Sequence, residues 1–365
     1  MARLSPHFFT EHYRSLIHTV RYGIKYARLR IFLALLGIFE RTTDTVITFR
    51  TRPLYAKDIN HVADELLNTP RFAIVLQGPI MKKYDFTLET VRIYKKVYPG
   101  LTVIVSTWDN EDPLYLDRIR AAGAEVLTNT QPTYRGIWNI NLQIISARSG
   151  IMRAKELGIP YTIKSRTDQR IYERNIRETL YNLISYFPPT KESGLHKRLV
   201  VCHEAYKHYN GYFPDMFMCG DTEDLLEYWS APLLKKEAKY SAFISELYLS
   251  YSFRRRKNWP IPRSVQAIWE TYRDCMIVLN WNDIDLLWLK YDYFWERRYT
   301  HKQRYRQITL ANLFVELHFI EWFNIFANMG NKVVSPIHTD KFEDFLKTIH
   351  FSEYERNYED QGHHL

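Results

Sequence analysis

A mostly parallel α/β sheet flanked by helices is the fold that this sequence predicts. Three observations carry it. From Arg71 onward, short apolar runs alternate with amphipathic helical stretches, the pattern of strand–helix–strand units. Glycines stand where helices should stop, at Gly123 and Gly158. The apolar runs end in small or polar residues, "QGP" at Gln77, "STW" at Ser106 and "SRTD" at Ser165. In open sheets of this kind ligands bind at the carboxyl ends of the strands.

Taken in order, "RFAIVLQGPI" reads as a strand, "FTLETVRIYKKVY" as a helix and "LTVIVSTW" as a second strand. "PLYLDRIRAAG" is a helix closed by Gly123, and "AEVLTN" is a third strand. A long helix is expected from about Ile137 to Leu157, followed by the strand "PYTIKSR". A helix near Arg174–Tyr186, strands in "RLVVCHEAY" and "GYFPDMFMCG", and helices in "DTEDLLEYW" and "SAFISELYLSYSF" come next. Asp221 is suited to cap the first of those two helices. Beyond Arg254 the chain is rich in Trp, Tyr and Arg and reads as mainly helical. Three regions are therefore expected: a basic helical segment over 1–56, an α/β domain over 70–252 and a mainly helical region over 253–365.

Composition narrows the class. The chain has 365 residues, 46% hydrophobic, with a formal net charge of +9, which is a globular composition. Residues 1–56 hold nine Lys or Arg against three acids. There Tyr13, Leu16, Ile17, Val20, Ile24, Ala27 and Ile31 form an apolar stripe beside Arg14, Arg21, Lys25 and Arg28. Such a helix lies in an anionic membrane interface or packs on the main domain, and both readings stand. The run "IFLALLGIF" has nine residues, against the roughly 20 that a membrane-spanning helix needs. Cys202, Cys219 and Cys275 are widely spaced and show no CxxC pair, so neither a zinc knuckle nor a disulfide framework is indicated. The expected location is a reducing cytoplasm, either free or peripheral on the inner face of the cytoplasmic membrane.

Several chemistries lack their signature. There is no G-x-G-x-x-G after the first strand and no P-loop. "HEAYKH" is one residue too long for the zinc-protease pattern, which leaves His203 and His208 as ordinary residues. The basic cluster "FRRRKNWP" suggests nucleic acid, but no recognised RNA- or DNA-binding signature accompanies it, and no nucleic-acid partner is expected.

What remains is polar chemistry at the strand ends. In extended backbone Thr162, Lys164, Arg166 and Asp168 share one face. Lys and Arg suit phosphate oxygens, and Asp suits Mg²⁺ or Mn²⁺; a structural Arg166–Asp168 pair is the plainer alternative. Asn139, Gln143, Ser146, Gly150 and Arg153 recur at helical spacing as one largely neutral polar stripe. Such a stripe suits a nucleotide or a sugar, or a polar contact between helices. Asp215 and Glu246 are the candidate general bases, Glu246 among apolar neighbours that would raise its pKa. His338 is a weaker candidate for the same pocket.

The segments "IVLQGPI", "TLETVRIYKKVYPGLTVIVSTW", "NINLQIISARSGIMRAKELGIPYTIKSRTDQRIY", "DMFMCGDTEDL" and "SELYLSY", in this order over about Arg71 to Tyr251, resemble the WavE family of lipopolysaccharide-synthesis proteins. The resemblance implies a GT-A-like glycosyltransferase that moves a sugar from a nucleotide-sugar donor to a lipid-linked or core oligosaccharide acceptor. It implies a nucleotide pocket shaped by Gln77, Gly78, Ser106 and Trp108, with Asn139, Asn141 and Gln143 on the donor. The element at Arg166–Asp168 would stand where GT-A enzymes carry a metal-binding D-x-D. Here Arg166 replaces the first Asp, so the implied chemistry is either a divalent ion on Asp168 or charge neutralisation by Lys164 and Arg166. The alternatives from other classes are a non-catalytic scaffold of a polysaccharide assembly system or a basic nucleic-acid-binding protein.

Overall fold

The computed structural model describes residues 6–43, 52–59, 69–202, 205–206, 211–235, 244–262, 264–292 and 316–327. Residues 1–52 and 53–365 form two compact units. The described part of the first is essentially one helix, α1 (Pro6–Thr43). The side chains of Tyr13, Leu16, Ile17 and Val20 lie outside the described residues, as do His203, His208 and His338.

The second unit is a seven-stranded sheet wrapped by helices. Its first half alternates strictly: β1 (Phe72–Gln77), α2 (Phe86–Val97), β2 (Thr102–Trp108), α3 (Pro113–Ala121), β3 (Glu125–Asn129), α4 (Ile140–Glu156) and β4 (Tyr161–Arg166). A short β5 (Gln169–Ile171) and α5 (Ile176–Tyr186) follow, then β6 (Leu199–Cys202), β7 (Phe217–Asp221), α6 (Thr222–Tyr228) and α7 (Ser245–Arg256). The chain continues through α8 (Val265–Cys275), β8 (Met276–Leu279), β9 (Leu286–Trp288), α9 (Leu289–Asp292) and α10 (Phe319–Ala327).

The strand order is β3-β2-β1-β4-β7-β6-β8. β7 runs antiparallel to both of its neighbours, and the other pairings are parallel. The sheet is thus mostly parallel, as the alternation predicts. Every residue of β1 is buried, because helices cover both faces and leave no place for a polar side.

Local chemistry sets the boundaries. Asp112 caps α3 by accepting from the Leu114 amide, with Pro113 in the first turn. Asp221 caps α6 by accepting from the amides of Glu223 and Asp224. The helix expected from Ile137 begins at Ile140, because Trp138 and Asn139 take left-handed backbone angles in a tight turn just before it. In "GYFPDMFMCG" the strand begins only at Phe217. Pro214 has no N–H to give a ladder, which keeps the residues around it out of the sheet. Gly150 lets α4 lie flat on β1 and β2: a Cβ there would stand 2.3 Å from Val75 Cγ1.

The described part of 253–365 is mainly helical but also supplies two strands that the sequence reading missed. β8 extends the main sheet beside β6, and β9 pairs with β5.

Candidate active site at the carboxyl ends of the central strands

The sheet register brings the predicted residues to one edge. Gln77 at the end of β1 pairs with Ser106 of β2 and with Arg166 of β4, so the three side chains share a face. β7 runs against β4, so the segment just ahead of it arrives at the same edge. That segment carries Asp215.

Polar bonds knit this edge together. Gln77 Oε1 accepts from Ser146 Oγ of α4 at 2.7 Å. Asn129 Nδ2 donates to Ser106 Oγ at 3.0 Å. Gly78, at φ +114°, turns the chain out of β1 and donates its amide to the Ser106 carbonyl. Thr167 donates its amide to the Gln77 carbonyl and its hydroxyl to the Pro79 carbonyl, which fastens the end of β4 to the loop after β1. Trp108 is buried at the end of β2.

The polar stripe on α4 meets the sheet more than it meets solvent. Ser146 bonds Gln77, Gly150 lies on Val75, and Arg153 pairs with Glu125. Asn139 is exposed at the mouth of the helix, and Gln143 Nε2 donates to the Trp138 carbonyl. Asn141 is committed to the scaffold. Its Nδ2 donates to the carbonyls of Tyr134 and Leu234, and its Oδ1 accepts from the Leu234 amide, each at 2.8 Å.

Charge concentrates around Lys164. The side chain is buried; its ammonium donates to the Asp215 carbonyl and stands 4.3 Å from the centre of the Trp229 ring. Burial brings its pKa down to about 8, against the pull of the Asp215, Glu246 and Asp168 carboxylates and with the push of Arg166. Lys164 therefore feels Arg166, Asp168, Asp215 and Glu246, of which the sequence placed only Arg166 and Asp168 on its face. Asp215 is buried, whereas Glu246, in the first turn of α7, remains partly exposed. Ser245 Oγ donates to its Oε2 at 2.8 Å.

Arg166 and Asp168 form a two-point pair, Nε to Oδ1 at 2.9 Å and Nη2 to Oδ2 at 3.3 Å. The guanidinium also lies 5.3 Å from the centre of the Trp288 ring. Burial alone would raise the Asp168 pKa. The Arg166 charge and hydrogen bonds, helped by Trp288 and Lys290, outweigh that and hold the carboxyl below the usual carboxylate range. Trp288 is a residue that sequence reasoning missed. It reaches the site because β9 pairs with β5, placing it opposite Gln169, next to Asp168.

This geometry does not suit a divalent cation on Asp168. Both carboxylate oxygens already accept from Arg166, and an ion there would meet the positive charges of Arg166 and Lys164 at short range. Among the described residues, His196, Asp221 and Asp224 are the group whose ligand atoms come within 4.8 Å of one another. They sit at the other edge of the sheet, where Asp221 pairs with Tyr161 at the start of β4. Their oxygens have structural work: Asp221 caps α6, and Asp224 accepts from the Lys197 amide.

Comparison with known proteins bears on family. No curated protein sequence matches the chain. A protein from Desulfovibrio desulfuricans G20 assigned as a nucleotide-diphospho-sugar transferase is similar in structure at 6% identity, covering 57% of this chain and 79% of its own, with a TM-score of 0.34. One from Bacillus anthracis assigned as a glucose-1-phosphate thymidylyltransferase is similar at 8% identity, 57% and 86% coverage and a TM-score of 0.30. A 4-diphosphocytidyl-2C-methyl-D-erythritol synthase gives 15% identity, 50% and 85% coverage and a TM-score of 0.28. Likenesses this low carry no weight for fold or activity. The sequence profile of a family described as WavE lipopolysaccharide synthesis, by contrast, matches residues 72–293. That span runs from the first residue of β1 past the end of β9, more than half of the chain, and holds every residue of the cluster around Lys164. The chain belongs to the WavE lipopolysaccharide synthesis family.

Proposed function

We propose that this protein is a glycosyltransferase that moves a hexosyl or related sugar from a nucleotide-sugar donor to a lipopolysaccharide-core or other surface-polysaccharide acceptor. One observation carries the reading: a cation–carboxylate cluster stands at the carboxyl ends of the central parallel strands, in a chain of a lipopolysaccharide-synthesis family. Such strand ends are the usual ligand crevice of this architecture.

In this reading the nucleotide lies over Gly78, Ser106 and Trp108, with Gln77 fixed beneath and Asn139 and Gln143 at the rim. Asn141 supports the pocket wall rather than the ligand. The acceptor hydroxyl oxygen attacks the anomeric carbon. The bond from that carbon to the phosphate oxygen breaks, and its electron pair stays on the leaving nucleotide. Arg166, held in place by Asp168 and Trp288, meets that charge, and preorganised charge of this kind is a large catalytic term. Lys164 adds positive potential from beneath. Glu246 takes the acceptor proton, because it is the partly exposed carboxylate of the pair while Asp215 is buried beside Lys164. Attack on the face opposite the leaving group inverts the anomeric centre. The chemistry is assigned to side chains alone.

The test is a thermal-shift series on the full chain with UDP, GDP, CMP and ADP and their sugars, with and without Mn²⁺. A native-state ligand raises the unfolding midpoint. One nucleotide class should raise it, and Arg166→Gln should remove most of that rise. A folded protein that responds to none of them would overturn the donor assignment.

A further inference from the structure

The described part of α1 turns a broad apolar surface outward. Ile24, Ile31, Leu35 and Ile38 are spaced by seven, four and three residues and are 49%, 63%, 61% and 60% exposed. They lie on one side of the helix. Phe32 and Phe39, also exposed, widen that side into an arc, while the exposed Leu29 and Leu33 lie towards the far side. Single exposed apolar residues are ordinary, but a contiguous patch marks an interaction surface.

Three observations say what covers it. The first is charge. From His12 to Phe39 the sequence has no Asp or Glu and five Lys or Arg, and Arg28, Arg30 and Arg41 are exposed on the helix. The second is length. The unbroken apolar run from Ile31 to Phe39 has nine residues, under half of the roughly 20 that a span needs, and among the described residues no helix is long and apolar enough to cross a membrane. The third is the seam. If Ile24, Ile31 and Ile38 formed one core position of a two-helix coil, the other core position would hold Ala27, Ala34 and Arg41, or Arg21, Arg28 and Leu35. Small or charged residues at those places make a poor seam between two copies of the helix, and the other register, with Leu29, Phe32, Leu36 and Phe39 at the core, is ended after two heptads by Lys25 and Thr43, short of the three or four that a coiled coil needs.

We infer that residues 24–41 dock on an anionic lipid surface, lying in its plane. The arc from Ile24 to Phe39 enters the boundary between headgroups and acyl chains. The stems of Arg28, Arg30 and Arg41 run along it and set their guanidinium groups among the lipid phosphates. The inference is independent of the transfer reaction proposed above.

Co-sedimentation of the full chain with vesicles tests it. Vesicles of phosphatidylcholine with phosphatidylglycerol should bind at least about tenfold more protein than vesicles of phosphatidylcholine alone. Ile31→Ser, Leu35→Ser and Ile38→Ser together should lower that binding by about tenfold or more. Arg28→Gln, Arg30→Gln and Arg41→Gln together should bring it down to the neutral-vesicle level. High salt should weaken the wild type, a readout that needs no variant. Equal binding to both vesicle types, or none to either, overturns the inference. A lipid-free dimer in sedimentation velocity that the triple serine variant dissolves also overturns it, in favour of a second copy of the chain.

Discussion

Arg166 closes on Asp168, two residues further along, with Nε 2.9 Å and Nη2 3.3 Å from the two carboxylate oxygens. The carboxylate that a metal would need is therefore already answered by a fixed cation. Sugar transfer is expected to run at the same rate in EDTA as with added Mn²⁺. Asp168→Asn should lower kcat by loosening Arg166, and Mn²⁺ should not restore it. Initial rates under the three conditions decide the matter, and a rate abolished by EDTA would restore a metal to the site.

Glu246 is the partly exposed carboxylate of the cluster, and its neighbour Ser245 donates to it. Glu246→Gln keeps the size and removes the base. Its kcat should fall by roughly 10²–10⁴-fold, the usual worth of general-base help. Donor affinity, followed by thermal shift, should stay unchanged. An undiminished kcat would transfer the role to Asp215 or to solvent.

Lys164 gives a pH-dependent signature. Its pKa in the folded protein is about 8, below the ordinary 10.5. Between those two values the unfolded chain holds more protons than the folded one, so the stability attributable to this lysine rises with pH. The stability of the wild type minus that of Lys164→Met should therefore increase by roughly 3 kcal/mol between pH 7 and pH 11. Urea titrations of both proteins across that range measure it. A flat difference would mean that the ammonium is solvated.

Asn141 joins the 134–136 loop to Leu234 through three hydrogen bonds. Asn141→Ala leaves the Tyr134 carbonyl and the buried carbonyl and amide of Leu234 without this partner, a loss of about 2–4 kcal/mol. Denaturant titration should show it as a lower midpoint. A variant of native stability that has lost nucleotide binding would instead place Asn141 on the donor.

Gly150 is a packing test. Gly150→Ala should cost about 1–3 kcal/mol, because the new methyl meets Val75 and a dense core yields little. Thermal unfolding reads this directly.

Much of this architecture was legible in the sequence because period and punctuation agreed. The apolar run of β1 up to Gln77, the capped α3 and α6, and the glycine stops all follow from local chemistry. The strand ends at Gln77, Ser106 and Arg166 were legible as an edge for the same reason. β8 and β9 were not, since runs as short as Met276–Leu279 and Leu286–Trp288 have no period that separates strand from helix. Trp288 was hidden with them. The stripe Asn139–Arg153 was visible as a stripe, but spacing does not say whether a polar face meets a ligand or a sheet. The drawing together of Lys164, Asp215 and Glu246 depended on the reversed direction of β7, which no local signal announces.

The late position of β8 and β9 also bears on how the protein is made. A ribosome delivers the chain from its amino end, and domains fold as their parts emerge. β1 to β4 can assemble early from near neighbours. β6, however, stays an open strand edge until Met276–Leu279 arrives, and Arg166 and Asp168 emerge long before Trp288. Contacts between distant residues slow folding, and an uncovered edge invites pairing between nascent chains. Chains released before β8 should therefore aggregate through β6, even though Lys164, Arg166, Asp168, Asp215 and Glu246 have already been made.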